Sequence, residues 1–242
     1  MLEVRGLCKN FGGLLAINNV NLDLKEGQLL GVIGPNGAGK TTLLNLITGF
    51  LTPTAGSVKL NGKDITRLKP YEICHNGVAR TFQVVQPFTE MTVMENVATG
   101  AIFAQKKSIS IEEARERSID PLRKVGLLTK SDQLAGALTL GEKKKLELAR
   151  ALATGPKILL LDEVMAGLTR GEVEAMMEML ADVNKSGVTI LMIEHLVHVI
   201  LALSDWVYVL NFGEKLFQGA PDEVMSHPEV IESYLGRPLE AA

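Results

Sequence analysis

Gly34-Pro-Asn-Gly-Ala-Gly39-Lys40-Thr41 fits the pattern GxxxxGK[ST], whose residue types suit a polyphosphate. Glycines at this spacing let the main chain curl tightly and bring its N–H groups close to phosphate oxygens. Those groups form an anion nest at the start of the next helix, where the helix dipole adds to the attraction. Lys40 is expected to bridge the β- and γ-phosphates of ATP, and the Thr41 hydroxyl to bind Mg²⁺. The candidate nucleotide-binding residues are therefore Gly34, Pro35, Asn36, Gly37, Ala38, Gly39, Lys40, Thr41 and Thr42. A glycine turn that merely caps a helix is the plainer alternative. Against it, the motif lies between a buried-strand signature (28–33) and an apolar helical stretch (41–48), the context a phosphate loop requires.

A second group stands far along the chain. Ile158-Leu-Leu-Leu-Asp162-Glu163 is a hydrophobic strand ending in two carboxylates, and strand C-terminal ends are where open α/β sheets place ligands. Asp162 is the candidate acid for Mg²⁺, directly or through water. Glu163, on the opposite side of the strand end, is the candidate to polarise an attacking water.

Elements of particular kinds must hold these groups. Residues 2–4 and 17–24 alternate apolar and polar, which predicts antiparallel strands with one wet face. Residues 28–33, 157–162 and 188–193 are nearly continuous apolar runs, as for strands covered on both faces. A strand over 57–60 runs into the turn pair Asn61-Gly62. Further strands are expected at 206–210 and 215–218 and a helix at 171–185. The pattern from 92 to 153 is helical, with a break or kink expected at Pro121. The fold class is α/β: a P-loop NTPase (RecA-like) core with an antiparallel β subdomain and an inserted α-helical subdomain. A single domain over 1–242 is expected, divided into a catalytic core (1–83 and 156–242) and a helical subdomain (84–155), with a loose tail after Leu235.

Composition narrows the classes. With 46% hydrophobic and 22% charged residues the chain is an ordinary globular protein. Its formal net charge of −3 argues against a nucleic-acid partner, which calls for a basic excess. Cys8 and Cys74 form no CxxC pair and read as buried structural thiols in a reducing compartment. No signal peptide is expected at the N-terminus. The most apolar stretch, 197–210, is interrupted by His198, Ser204 and Asp205, short of the ~20 apolar residues that a membrane helix needs.

The order of phosphate loop, Gln83, an LTLGE segment, ILLLDE and His195 resembles the nucleotide-binding domain of ABC (ATP-binding cassette) ATPases over nearly the whole chain. The resemblance implies that Phe11 stacks on adenine. It makes Gln83 the Q-loop residue, touching Mg²⁺ and water, and His195 the switch histidine on the γ-phosphate. Ala166-Gly-Leu-Thr169 stands in the place of the D-loop. The catalytic set implied is Lys40, Gln83, Glu163 and His195, with Thr41, Gln83 and Asp162 as metal ligands.

The signature segment departs from the family's LSGGQ: here it is Leu138-Thr139-Leu140-Gly141-Glu142. Thr139 keeps the hydroxyl and Gly141 the close approach; Leu140 replaces a glycine. Glu142 puts a charge where the family has an amide, near a phosphate; Lys143, Lys144 and Lys145 either offset it or form a solvated helix face. Val164 stands in place of the family's proline.

The resemblance also implies partners: transmembrane permease subunits, a second cassette chain (identical or paralogous) and, indirectly, a solute-binding protein. The expected location is peripheral, on the cytoplasmic face of the cell membrane. Ala79-Arg-Thr-Phe-Gln, the stretch 87–97, Ala166-Gly-Leu and Tyr234-Leu-Gly are similar to the ATPases of branched-chain amino acid importers. Another importer, a lipid transporter, a weakly hydrolysing regulatory cassette and a non-transport ABC protein stay open as alternatives.

Overall fold

Alternating burial along the first residues produces two long strands, β1 (Leu2–Phe11) and β2 (Leu14–Leu24), paired antiparallel with Leu2 opposite Leu24. The computed structural model describes residues 1–104 and 108–235. Within them the chain divides into two compact units, one made of Met1–Pro70 and the stretch from Thr189 onward, the other of Tyr71–Val188.

In the first unit, β3 (Leu29–Ile33) is buried along its whole length. Helix α1 (Lys40–Ile47) follows, then β4 (Ala55–Leu60) and β5 (Lys63–Asp64). Asn61 and Gly62 take φ of 50° and 77°, the left-handed pair that a two-residue hairpin turn demands. Strands β2, β1, β4 and β5 lie side by side in that order as the antiparallel sheet.

In the second unit, after a short α2 (Pro70–His75), β6 (Val78–Arg80) precedes the helices α3 (Val93–Phe103), α4 (Ile111–Lys124) and α5 (Leu140–Leu152). Strand β7 (Ile158–Asp162) pairs parallel with β6, and α6 (Arg170–Lys185) closes the unit.

The chain then returns to the first unit through β8 (Thr189–Ile193), α7 (Val197–Leu203), β9 (Trp206–Asn211) and β10 (Glu214–Gly219), followed by α8 (Pro221–Ser226). Strand β3 runs parallel between β8 and β9, which is why it carries no polar residue; β10 adds antiparallel to β9. The α/β class, with its antiparallel β portion and helical block, is therefore as expected.

Two expectations need correction, on Pro121 and on the cysteines. Helix α4 runs on past Pro121 to Lys124. Proline removes one donor there, but it sits in the last turn, and its own carbonyl still accepts the Val125 N–H at 3.2 Å. Cys8 and Cys74 are free and half-buried rather than fully buried. The apolar stretch 197–210 splits into α7 and β9. Asp205 marks the join: its carboxylate accepts the Leu29 N–H at 2.8 Å and its own N–H donates to the Leu29 carbonyl at 2.9 Å. The short β6 and α2 were not expected, because three and six residues are too few to show a period. The loose tail expected after Leu235 lies outside the described residues.

Candidate nucleotide-binding and hydrolysis groups

The phosphate loop lies in the first unit, between β3 and α1. Gly39 caps α1 with φ 101°, and a Cβ there would stand 2.7 Å from the Ala16 carbonyl oxygen. Only glycine tolerates both the angle and the approach. Glycine offers no side-chain cap to α1, so the amides of the first turn remain for an anion. The loop is braced by Ala38 N–H to Pro35 O at 3.1 Å and by Gly213 N–H, from the β9–β10 turn, to Ala38 O at 2.9 Å. Lys40 is 6% exposed, and its ammonium donates to the carbonyls of Gly34 at 2.7 Å and Pro35 at 3.1 Å. The ammonium is thus curled inside the loop that would enclose a phosphate. Thr41 is exposed, Thr42 half-buried.

Two other expected groups of this unit are solvent-facing. Phe11, at the end of β1, is 45% exposed with the Lys9 ammonium 5.1 Å from its ring centroid; an exposed aromatic face is what a purine needs for stacking. His195 is exposed just beyond β8, and the preceding Glu194 is buried.

The acid pair lies in the second unit. Asp162 ends β7 and is 1% exposed; Arg80, at the end of the adjacent β6, donates to its Oδ2 at 2.8 Å. The parallel register sets Arg80 opposite Leu160, and the guanidinium spans the remaining distance to the acid. Glu163 follows with φ 50° and 8% exposure. A left-handed, buried glutamate is an unfavourable conformation of the kind that persists at functional sites. Its direction is therefore set by that turn, not by the strand alternation from which it was expected. Gln83 donates from Nε2 to Glu163 Oε2 at 2.7 Å, so the structure brings Gln83 onto the candidate base. Glu147 of α5 accepts the Phe82 N–H at 2.5 Å, and burial pushes its carboxyl up from the ordinary range.

The signature segment opens α5. Thr139 is its N-cap, its hydroxyl accepting the Glu142 N–H at 3.3 Å while the Glu142 carboxylate accepts the Thr139 N–H at 3.0 Å. Thr-x-x-Glu is a capping box, and glutamate and glutamine serve it equally. Glu142 is therefore a cap residue whose charge is met by an ion pair with Lys130. That contact and the Thr139 amide hold its carboxyl below the usual glutamate range. The expectation that Lys143–Lys145 offset the charge, or form a solvated face, is corrected for Lys144, which is 5% exposed and donates to the Glu163 carbonyl at 3.1 Å. Gly141 faces the Glu172 carboxylate at the start of α6, where a Cβ would collide. The Leu140 side chain lies over Gly167 of the D-loop segment, so the bulk that replaces a glycine is accommodated. Leu138 is buried.

Read from the sequence, Arg80, Lys130 and Glu147 carry no role, and Lys144 carries only that of a charge offset or a solvated lysine. Lys144 alone left a usable signal: with Gly141, Leu148 and Leu152 it keeps the 3–4 spacing of the buried face of α5.

A phosphate loop opening a helix after a buried parallel strand defines a P-loop nucleotide-binding protein. Comparison with known proteins narrows the class. The family model for "ABC transporter" matches residues 17–166, and that for "Branched-chain amino acid ATP-binding cassette transporter" matches residues 214–239. The high-affinity branched-chain amino acid transport ATP-binding protein LivG of Salmonella typhimurium is 41% identical over 98% of both chains. The ADP conformation of an ATP-binding cassette from an ABC transporter superposes with TM-score 0.89 at 36% identity, covering 98% of this chain and 99% of that one. A dimeric cassette in a post-hydrolysis state with ADP and phosphate gives 0.82 at 28% identity, over 91% and 99%. The chain belongs to the ABC transporter family and is an ATP-hydrolysing subunit of that family. No helix among its described residues is long and apolar enough to cross a membrane.

Proposed function

We propose that the chain powers import of branched-chain amino acids from the cytoplasmic face of a cell membrane, docked on transmembrane permease subunits. The observation that carries the cargo is the match of residues 214–239 to the branched-chain amino acid cassette model, beside 41% identity to LivG. The ATPase groups themselves touch no cargo.

In this reading the Gly34–Thr42 loop wraps the phosphates, and the Lys40 ammonium exchanges its carbonyl partners for β- and γ-phosphate oxygens. Phe11 stacks on adenine, and His195 meets the γ-phosphate. Glu163, oriented by Gln83, accepts a hydrogen bond and then the proton from the attacking water, whose oxygen is thereby aimed at phosphorus. The Thr41 hydroxyl, the Asp162 carboxylate and the Gln83 amide oxygen are hard donors of the kind Mg²⁺ takes in ones and twos alongside phosphates. When bound, Mg²⁺ supplies charge neutralisation on the phosphate oxygens. Residues 138–142 address the nucleotide held by a second cassette chain, identical or paralogous. The helical stretch 84–155 is the part that answers the permease, and a solute-binding protein delivers cargo from the far side.

Affinity purification of the tagged chain from its native membranes is the test. A permease pair, with loss of ATP-driven leucine, isoleucine and valine uptake on gene deletion, is the expected result. Retained uptake would overturn the cargo. Recovery of nucleic-acid or ribosomal partners only would overturn the transport role.

A further inference from the structure

Glu163 occupies a conformation that is unfavourable for a non-glycine residue. Its φ is 50°, and it directly follows the last residue of β7. Something must fix both its peptide and its carboxylate. Gln83 holds the carboxylate. The carbonyl accepts the Ala166 N–H at 3.2 Å, the ordinary closure of a turn, and the Lys144 ammonium at 3.1 Å. Lys144 lies one turn into the signature helix, on the face it buries, and 95% of its surface is withdrawn from water. Burying an ammonium is unfavourable unless it is well bonded, and a methionine would fill the same volume without that penalty. The ammonium is thus placed for what it bonds. On the same helix, Glu147 accepts the amide of Phe82, next to Gln83. Helix α5 therefore grips both sides of the candidate base: its peptide through Lys144, and the segment carrying its side-chain partner through Glu147.

We propose that Lys144 is a positioning residue for hydrolysis. It holds the Glu163 peptide in its left-handed conformation, so that the carboxylate meets the water, and it ties that alignment to the helix that begins with the signature segment. The inference rests on the role given to Glu163 above. Lys144 touches no nucleotide in this scheme, so its loss should appear in turnover and leave ATP affinity alone.

The experiment measures steady-state ATP hydrolysis by the full chain and its variants, with mant-ATP affinity and thermal unfolding in parallel. Lys144→Met is expected to lower kcat about tenfold or more with KM for ATP changed less than about twofold, as misalignment of a catalytic group does. Lys144→Gln, which keeps an N–H donor, should recover a substantial part of kcat and guards against a packing effect in the methionine variant. In a Glu163→Gln background, where turnover is already lost, Lys144→Met should lower the residual rate no further. Three results would overturn the inference: normal kcat in Lys144→Met, equal losses in the methionine and glutamine variants, or a full additional loss on top of Glu163→Gln. Wild-type turnover by Glu163→Gln alone would instead overturn the role of Glu163 itself, and this inference with it.

Discussion

At the scale of single residues, Arg80 and Asp162 decide how the second unit holds its acid. Their side chains are 6% and 1% exposed and 2.8 Å apart. Removing one partner of a buried pair leaves the other charge poorly compensated, at a cost of about 3 kcal/mol. Arg80→Met should lower unfolding free energy by about that amount in a urea titration, whereas an exposed pair such as Arg117–Glu113 should give less than ~1 kcal/mol. Lys40 is a contrasting case, since its ammonium bonds carbonyls that a phosphate can replace. Lys40→Ala should weaken ATP binding by about 2 kcal/mol, roughly thirtyfold in Kd, read by mant-ATP fluorescence. Both roles were half-legible: Lys40 through its motif, Asp162 through the apolar strand before it. Arg80 was not legible, because a short strand gives no pattern from which a buried arginine stands out.

At the scale of elements, the capping box of α5 explains the LTLGE departure. Glutamine can replace Glu142 in the box and lose only the Lys130 ion pair. Glu142→Gln should therefore leave ATP hydrolysis within about twofold of the parent and stability within ~1 kcal/mol, by phosphate release and thermal melting. Glu142→Ala removes the cap and should lower stability by about 1 kcal/mol. The pH dependence has a definite sign. Lys130 and the Thr139 amide depress the Glu142 carboxyl in the folded protein. Its contribution is therefore complete above the ordinary glutamate value of 4.5 and is lost as pH falls through the depressed value. Stability of the glutamine variant should accordingly fall less steeply below pH 4.5 than that of the parent. This capping signal, Thr139-x-x-Glu142 at the head of a helix, is present in the sequence.

For the whole molecule, the proposal that two cassettes enclose ATP makes its own prediction. Glu163→Gln keeps the phosphate loop intact and removes the base, so it should bind ATP and accumulate as a dimer under light scattering. A variant that stays monomeric at saturating ATP would refute a sandwich of two identical chains. The described residues supply groups for both roles: the phosphate loop, and a signature segment with Thr139 and Leu140 exposed at the head of α5.

The sequence by itself determined the groups that chemistry dictates by type and spacing: the Gly34–Thr41 loop, the Asp162–Glu163 pair, and the apolar runs that become β3, β7 and β8. Each is a local pattern that needs no partner to be read. Only the tertiary structure decided what these groups lean on. Arg80 reaches Asp162, 82 residues on in the chain, because β6 pairs parallel with β7. Lys144 reaches the Glu163 carbonyl because the buried face of α5 turns toward the end of β7. Lys130 meets Glu142 because a turn brings it back to the helix start. The physical reason is common to Arg80 and Lys144. A buried charge is specified by its partner, and in a folded chain that partner need not be near it in sequence.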